Sequence, residues 1–219
     1  MYRTENDMKK TLVAIGDSIT KGTYTAPTDP SPNTVAEKPF ARLVADVLGY
    51  DEFINCGMNG TSVSRLARVF PEHAMSVRID KTPDADLLIV AAGTNDYAGG
   101  IPLGSFEDTE DISFCGGLDV FFSKIVKRYK RVVVVTPIPR RDDGENSVGA
   151  TLFDYSRAIE HYAHKYGFFL VDGSLVPIDA KSEEGRRLCM LDGLHPNPYG
   201  HELYADTVIS AISASNIFK

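Results

Sequence analysis

Residues of the types that cooperate in nucleophilic catalysis stand at two distant points of the chain. Ser18 lies near the N-terminus, whereas Asp192 and His195 lie three positions apart near the C-terminus. A serine hydroxyl is a poor nucleophile until a base takes its proton, and a histidine base works best when a carboxylate fixes its tautomer. An aspartate three residues before its histidine on an irregular turn can reach Nδ1 and leave Nε2 free. We therefore predict a triad in the permitted order Ser, Asp, His.

Hydrogen-bond donors are also needed, because attack on an ester carbonyl builds negative charge on oxygen. Each preorganised donor contributes roughly 100- to 1,000-fold in rate. The candidates are the backbone N–H groups of Ser18 and Gly60 and the side-chain amide of Asn95. Taken singly, these residues and His195 are at least as well explained as caps, turns or loop residues. Their occurrence together at predicted strand ends favours a catalytic site.

Short apolar segments alternate with amphipathic ones and predict the frame that holds these residues. This alternation is typical of a parallel sheet covered by helices on both faces, so we predict an α/β fold. Ligand sites in such sheets gather at the carboxyl ends of the strands, where all the candidate residues fall. The predicted strands are Thr11–Ile15, Phe53–Cys56, Leu87–Ala92, Arg131–Thr136 and Phe168–Val171, and the predicted helices are Phe40–Leu48, Val63–Ile79, Leu118–Tyr129, Leu152–Tyr166 and Tyr199–Ala214.

Four segments resemble the signature blocks of the SGNH, or GDSL-type, hydrolase family, which carry Ser, Gly, Asn and His in that order. The segments are Gly16–Thr20, Asn55–Gly60, Gly93–Asp96 and Asp192–His195. The resemblance extends over nearly the whole chain. In the first block, Ile19 replaces the leucine of the family name. The neighbouring α/β-hydrolase motif G-x-S-x-G is not matched, because Thr20 stands at its last position.

The resemblance implies a fold, a reaction and a role for each candidate residue. The fold is a flavodoxin-like three-layer αβα sandwich with a five-stranded parallel sheet of order 2-1-3-4-5. The reaction is hydrolysis of esters or thioesters, without metal or cofactor, through an acyl-enzyme on Ser18. Asp192 and His195 complete the triad. Ser18, Gly60 and Asn95 form the oxyanion hole, and Gly57 is not the oxyanion glycine.

Among the substrates of this family we expect a small acyl ester, with acetylated carbohydrates first, because the sequence has no long apolar stretch suited to a lipid interface. A lysophospholipase or thioesterase with the same site is an alternative, since the sequence does not exclude a deep apolar groove. A catalytically silent carbohydrate-binding protein is another, although no triad member is missing. A metallophosphoesterase with ligands Asp17, Asn95, Asp192 and His195 is disfavoured by the lack of D-x-H or clustered histidines.

Size and charge limit the partners of the protein. The 219 residues predict one domain spanning 1–219. With 23 basic and 30 acidic residues the net charge is −7, which disfavours nucleic acid and anionic membranes. No apolar stretch approaches the roughly 20 residues of a membrane helix. No export signal is visible, so we expect a cytoplasmic protein with a small-molecule substrate, although a chain that has lost its signal peptide would look the same. Nothing indicates the oligomeric state.

Three further segments are predicted to lack regular structure. We expect Lys21–Pro39, which is rich in proline, to line the substrate pocket. Tyr97–Gly117 is expected to be a lid or pocket wall, and Arg140–Gly149 a surface excursion. The histidines outside the triad are expected at the surface or at helix ends; they are His73, His161, His164 and His201.

Overall fold

A computed structural model describes residues 9–67 and 69–215 and has a parallel sheet at its centre. The strands in chain order are β1 (Thr11–Gly16), β2 (Thr23–Ala26), β3 (Asp29–Val35), β4 (Glu52–Gly57), β5 (Leu87–Ala91), β6 (Val132–Val135) and β7 (Phe169–Val171). Five of them form the sheet β4-β1-β5-β6-β7, in which every neighbouring pair is parallel. Counted over these five strands the order is 2-1-3-4-5, so the predicted α/β fold is confirmed.

The three central strands β1, β5 and β6 are buried on both faces, which explains their unbroken apolar sequences. In β5, Leu88 and Val90 belong to the core on one face, whereas Leu87 and Ile89 belong to the core on the other. The valines of β6 alternate in the same way. Because two cores hold each strand, the carboxyl ends of the strands have fixed positions along one rim of the sheet.

Helices cover both faces of the sheet and mark its carboxyl rim. In chain order they are α1 (Ser18–Lys21), α2 (Phe40–Val47), α3 (Met75–Arg78), α4 (Thr94–Ala98), α5 (Phe114–Ile125), α6 (Leu152–Lys165), α7 (Glu183–Cys189) and α8 (Pro198–Ala214). Helices α2 and α8 pack on one face, and α3, α5 and α6 pack on the other. The short helices α1 and α4 begin at the rim. No helix in the described parts of the chain is long and apolar enough to cross a membrane.

Several helix ends follow the local chemistry that the sequence predicts. The Asn197 side chain accepts a hydrogen bond from the N–H of Gly200, and Pro198 occupies the first position of α8. Gly49 and Gly167 follow α2 and α6 with φ of 72° and 70°. These left-handed conformations confirm the predicted glycine stops.

The prediction that Lys21–Pro39 lacks regular structure is wrong, because this segment contains the antiparallel hairpin β2–β3. Prolines at positions 30 and 32 lie within β3. Proline cannot donate to a strand ladder, but it is tolerated in an edge strand, and both strands of a two-stranded sheet are edges. The hairpin begins directly after α1 and therefore stands beside the rim of the main sheet.

The predicted helix Val63–Ile79 is also wrong. The segment is mostly irregular, with a 3₁₀ turn at Pro71–His73 before α3 and another after it. The path of this segment is held by acceptors from other elements, since Asp96 accepts the backbone N–H groups of Val63 and Ser64 and Asp111 accepts that of Arg65. Amphipathic spacing alone cannot reveal such an acceptor, since it comes from another element.

The segment Tyr97–Gly117 is irregular in its middle, but its ends belong to α4 and α5. Helix α5 begins earlier than predicted because the Ser113 side chain caps it by accepting the N–H of Gly116. Asp111 in this segment is buried and accepts hydrogen bonds from the hydroxyls of Ser64 and Ser76, both at 2.6 Å. The segment therefore packs against the loop that follows β4, and its role as a lid stays a prediction.

Candidate active site

The serine lies at the start of a tight turn between β1 and α1. Asp17 caps α1, since its Oδ1 accepts the N–H of Ile19 at 2.9 Å, and Ser18 is the first residue of the helix. A side chain at Gly16 would place its Cβ 1.9 Å from Thr20 Oγ1, so only glycine permits this turn. The turn presents the Ser18 hydroxyl at the carboxyl rim of the sheet.

The histidine and the aspartate lie in the loop between α7 and α8 and form a chain of hydrogen bonds with the serine. Ser18 Oγ is 2.9 Å from His195 Nε2, and His195 Nδ1 is 2.7 Å from Asp192 Oδ2. Asp192 Oδ1 accepts the backbone N–H groups of Leu194 and His195 at 2.9 and 2.8 Å. The three residues that the sequence analysis proposed as a triad are therefore brought together within hydrogen-bond reach.

The electrostatics of the loop favour an ionised aspartate. Partial burial acts to raise the pKa of Asp192, but the hydrogen bonds from the His195 ring and from two backbone N–H groups outweigh it and hold the pKa below its usual range. An ionised carboxylate at this position accepts a hydrogen bond from Nδ1–H and leaves Nε2 to accept a hydrogen bond from the Ser18 hydroxyl. Thr25 Oγ1 also donates to Asp192 Oδ2 at 2.9 Å, a contact that the sequence analysis missed.

The three proposed oxyanion donors are near one another in the fold but are held differently. Gly60 lies in a turn after β4 with φ of 71°. Asn95, in α4, donates from Nδ2 to the carbonyl of Thr61 at 2.9 Å, which ties α4 to this turn. Within the described residues, the backbone N–H groups of Ser18 and Gly60 have no acceptor. That of Gly57 is occupied by Asn55 Oδ1 at 2.8 Å, as expected if Gly57 is not a donor.

Asp96 supports the loop that follows Gly60. Its side chain is fully buried, and both carboxylate oxygens accept the N–H of Val63, at 3.1 and 3.0 Å. Burial raises the pKa of Asp96 to about 7 although the backbone hydrogen bonds oppose this shift. The residue stands next to Asn95 in a family-like block, which was a signal that the sequence analysis did not use.

Arg78 joins the ends of two strands to the same loop. Its guanidinium donates to the carbonyls of Gly16 and Cys56, at the ends of β1 and β4, and to Thr61 Oγ1 at 3.3 Å. Burial lowers the pKa of Arg78. No carboxylate in the described parts of the chain forms an ion pair with it. Nothing in the sequence marked this arginine, because it lies on α3, in the segment predicted as one long helix.

Apolar side chains and a groove surround this rim. Phe70 is 50% exposed, has φ of 53°, and its ring lies 3.9 Å from where a Cβ on Gly60 would stand. A groove of about 310 Å³ lies between α6 and the segment that follows β6. This segment touches the triad loop, since Arg141 N–H donates to the carbonyl of Gly193 at 2.8 Å. Phe153, which is 69% exposed, lines the groove together with charged residues of α6.

His201 corrects part of the sequence analysis, because it lies in the first turn of α8, at a helix end as expected, but not at the surface. It is fully buried in α8, and its Nδ1 accepts the backbone N–H of Phe40 at 3.3 Å. Burial lowers its pKa to about 4. Amphipathic α8 turns this ring toward α2, and no feature of the sequence distinguishes it from the exposed histidines His161 and His164.

The acidic and histidine side chains of the rim are engaged with the protein itself. Asp17 accepts a backbone N–H, and within the described residues Asp192 accepts hydrogen bonds from its own loop, from the His195 ring and from Thr25. Among the described residues, no three His, Cys, Asp or Glu side chains are grouped so that they could hold a metal ion.

The profile of the GDSL-like Lipase/Acylhydrolase family matches residues 14–203. The chain belongs to this family. Solved structures show the same fold: one 25% identical gives a TM-score of 0.83 over 94% of this chain and 97% of its own. A protein from Lactobacillus plantarum, 24% identical, gives 0.80 over 95% and 99%. An acetylxylan esterase from Geobacillus stearothermophilus, 18% identical, gives 0.59 over 93% and 94%. A search of curated proteins finds no match.

Membership of the GDSL-like family confirms the resemblance seen in the four sequence blocks, and it makes the chain a member of a family of acylhydrolases. The matched range includes all four blocks, from the strand before Ser18 to the helix after His195. The roles of the individual residues and the choice of ester are a separate question, which depends on the geometry of this site.

Proposed function

We propose that the protein is a serine ester hydrolase that cleaves small acyl esters through an acyl-enzyme on Ser18. The observation that carries this proposal is the chain of hydrogen bonds from Ser18 Oγ through the His195 ring to Asp192, with distances of 2.9 and 2.7 Å. Such spacing lets the imidazole take the hydroxyl proton as the oxygen attacks. The orientation of His195 by an ionised carboxylate is the second requirement of this chemistry.

The reaction proceeds in two halves. Ser18 Oγ bonds to the ester carbonyl carbon while His195 Nε2 takes its proton, and the carbonyl oxygen becomes negative. The N–H groups of Ser18 and Gly60 and the second amide proton of Asn95 stabilise this oxygen. The bond to the alcohol oxygen then breaks, and His195 returns the proton to the alcohol. Water, deprotonated by the same ring, attacks the acyl carbon, the acid leaves, and the Ser18 hydroxyl is restored.

Acetylated carbohydrates are the substrate class that we propose. The groove between α6 and the segment that follows β6 combines exposed Phe153 with Asp143, Arg157 and Glu160, and that segment contacts the triad loop through Arg141. An aromatic face with charged groups around it suits a sugar, which has apolar faces and many hydroxyls. The apolar wall near Gly60 suits a short acyl group. An acetylxylan esterase with this fold lends the proposal further support.

The test measures hydrolysis of p-nitrophenyl esters from acetyl to dodecanoyl, followed by acetylated xylooligosaccharides. We expect turnover of the short esters and a loss of at least about a thousandfold in Ser18→Ala. Ser210→Ala, on the exposed side of α8, is the matched control and should keep wild-type turnover. Undiminished hydrolysis by folded Ser18→Ala would refute the mechanism. Preference for dodecanoyl esters or for thioesters would instead favour the lysophospholipase or thioesterase alternative.

A further inference from the structure

The hairpin β2–β3 leaves α1 directly behind the nucleophile and turns one face of β2 toward the active site. Thr23 and Thr25 are two positions apart, so both point to the same side of the strand. They are 1% and 6% exposed, whereas Tyr24 and Ala26 between and after them are only half-buried. Hydroxyl groups are buried at a cost unless they find partners, and both of these threonines find partners in the candidate site.

Thr25 contacts the acid of the triad. Its Oγ1 donates to Asp192 Oδ2 at 2.9 Å, the same oxygen that faces His195 Nδ1 at 2.7 Å. The other oxygen, Oδ1, accepts two backbone N–H groups of the triad loop itself. Thr25 therefore supplies a donor to this carboxylate from a different element, and this element is continuous in sequence with the nucleophile.

Thr23 contacts the opposite side of the site. Its Oγ1 donates to Asn59 Oδ1 at 2.9 Å, and Asn59 directly precedes Gly60. The backbone at Gly60 has a left-handed conformation, which does not by itself fix the direction of the N–H. The partly buried hydrogen bond from Thr23 to the preceding residue restricts the direction of this N–H.

We propose that Thr25 is a positioning residue of the triad, which keeps Asp192 in line with His195, and that Thr23 positions the turn that carries Gly60. One strand thereby sets both the acid and an oxyanion donor relative to the serine that precedes it. This inference rests on the proposed function of Ser18, His195 and Asp192.

The contact from Thr25 has an electrostatic consequence besides a geometric one. A hydroxyl that donates to Asp192 Oδ2 takes up part of the negative charge that faces His195. Without this donor, the His195 ring is the one hydrogen-bond partner of Oδ2 among the described residues, and the carboxylate is held less firmly in line with Nδ1.

The experiment measures the rate of labelling by a fluorophosphonate, which reacts with an activated serine whatever the natural ester is. Ser18 Oγ bonds to phosphorus, fluoride leaves, and His195 takes the hydroxyl proton. Rates are measured across pH for the wild type and for Thr25→Val, Thr25→Ser, Thr23→Val and Thr34→Val. Valine matches threonine in shape and removes the hydroxyl. Thr34 lies on β3 opposite Tyr24 and has no side-chain hydrogen bond within the described residues, so its variant is the matched control.

We expect Thr25→Val to be labelled about tenfold more slowly, as the loss of a hydrogen bond to a charged group implies. Thr25→Ser should restore the rate, because serine keeps the hydroxyl. Thr23→Val should also be labelled more slowly, because the turn that carries Gly60 is then held less firmly. Thr34→Val should match the wild type.

Two sets of results would overturn the inference. A wild-type labelling rate in Thr25→Val would exclude a positioning role. An equal loss of rate in Thr25→Val and Thr25→Ser would show that Thr25 only packs the hairpin. Failure of the proposed function itself is recognised separately, because then either the folded wild type is not labelled or Ser18→Ala is labelled as well as the wild type.

Discussion

Asp96 places its carboxylate directly beneath the backbone of Val63, so that both of its oxygens accept the same N–H, at 3.1 and 3.0 Å. This contact holds the loop after Gly60 against α4, which also carries Asn95. A fully buried carboxylate is costly to ionise, and its pKa is accordingly raised to about 7. The loop that carries a proposed oxyanion donor is therefore coupled to a group that titrates near neutral pH.

This coupling predicts a pH-dependent stability. The pKa of Asp96 is near 3.8 unfolded and about 7 folded, so the folded state holds a proton that the unfolded state releases between these values. The contribution of Asp96 to the stability of the fold is therefore present at low pH and lost as the pH rises through 7. Between about pH 5 and pH 8, the unfolding free energy of the wild type should fall by roughly 3 kcal/mol relative to that of Asp96→Asn. Urea unfolding of both proteins at each pH measures this difference.

A surface carboxylate provides the control for this experiment. Asp80 forms an exposed ion pair with Lys124 on the far side of the loop. The difference in unfolding free energy between Asp80→Asn and the wild type should stay nearly constant over the same pH range. If the unfolding free energies of wild type and Asp96→Asn change with pH in the same way, Asp96 does not hold a proton in the folded state.

The parts of the site that sequence could predict are those whose geometry is local. Asp192 and His195 lie three residues apart, and a single turn brings the carboxylate to the ring. Ser18 follows a strand whose two buried faces are evident from its composition. For these residues, strand periodicity and short spacing determine the position without knowledge of the rest of the fold.

The remaining parts depend on contacts between residues far apart in the chain. Thr25 reaches Asp192 across 167 positions, and Asp96 takes the N–H of Val63 across 33. Both contacts involve segments that the sequence analysis described wrongly. The segment that carries Thr25 was predicted to lack regular structure, and the segment that begins at Val63 was predicted to be a helix. The path of the chain after Gly60 is held by acceptors that come from other elements, and amphipathic spacing does not register them.

Arg78 leads to a prediction about stability. Its guanidinium donates to the carbonyls of Gly16 and Cys56 in a half-buried place, and Arg78→Met would remove both hydrogen bonds, leaving the Gly16 carbonyl with the N–H of Met58. We expect a loss of about 3 kcal/mol in unfolding free energy, measured by urea denaturation. Arg78→Lys should recover part of it, because an ammonium lacks the planar fork.

A matched arginine on α2 shows whether this effect is specific. Arg42 forms an exposed ion pair with Asp46 at 2.8 Å, so Arg42→Met should change the unfolding free energy by no more than about 0.5 kcal/mol. Equal losses in the two variants would mean that the strand-end carbonyls are satisfied in some other way when Arg78 is removed.

Phe70 leads to a prediction about both the acyl group and the backbone. Its half-exposed ring lies beside Gly60, where the acyl chain of an ester bound in the proposed oxyanion hole would pass. Phe70→Ala should lower kcat/KM for hexanoyl relative to acetyl p-nitrophenyl esters by about tenfold, the value of a few methylenes in an apolar contact. The ratio of kcat/KM for the hexanoyl ester to kcat/KM for the acetyl ester measures this effect independently of enzyme concentration.

The backbone at Phe70 permits an internal comparison, because its φ of 53° lies in the left-handed region. Glycine adopts this conformation freely, whereas alanine pays roughly 1 kcal/mol for it. Phe70→Gly should therefore be about 1 kcal/mol more stable than Phe70→Ala while showing the same change in ester preference. The two variants could instead differ in their preference for hexanoyl over acetyl esters but not in unfolding free energy. In that case the ring does not contact the acyl chain, and the loop rearranges on substitution. If both variants show the same ester preference and the expected difference in unfolding free energy, the change in preference is due to the loss of the ring and the difference in stability is due to the backbone.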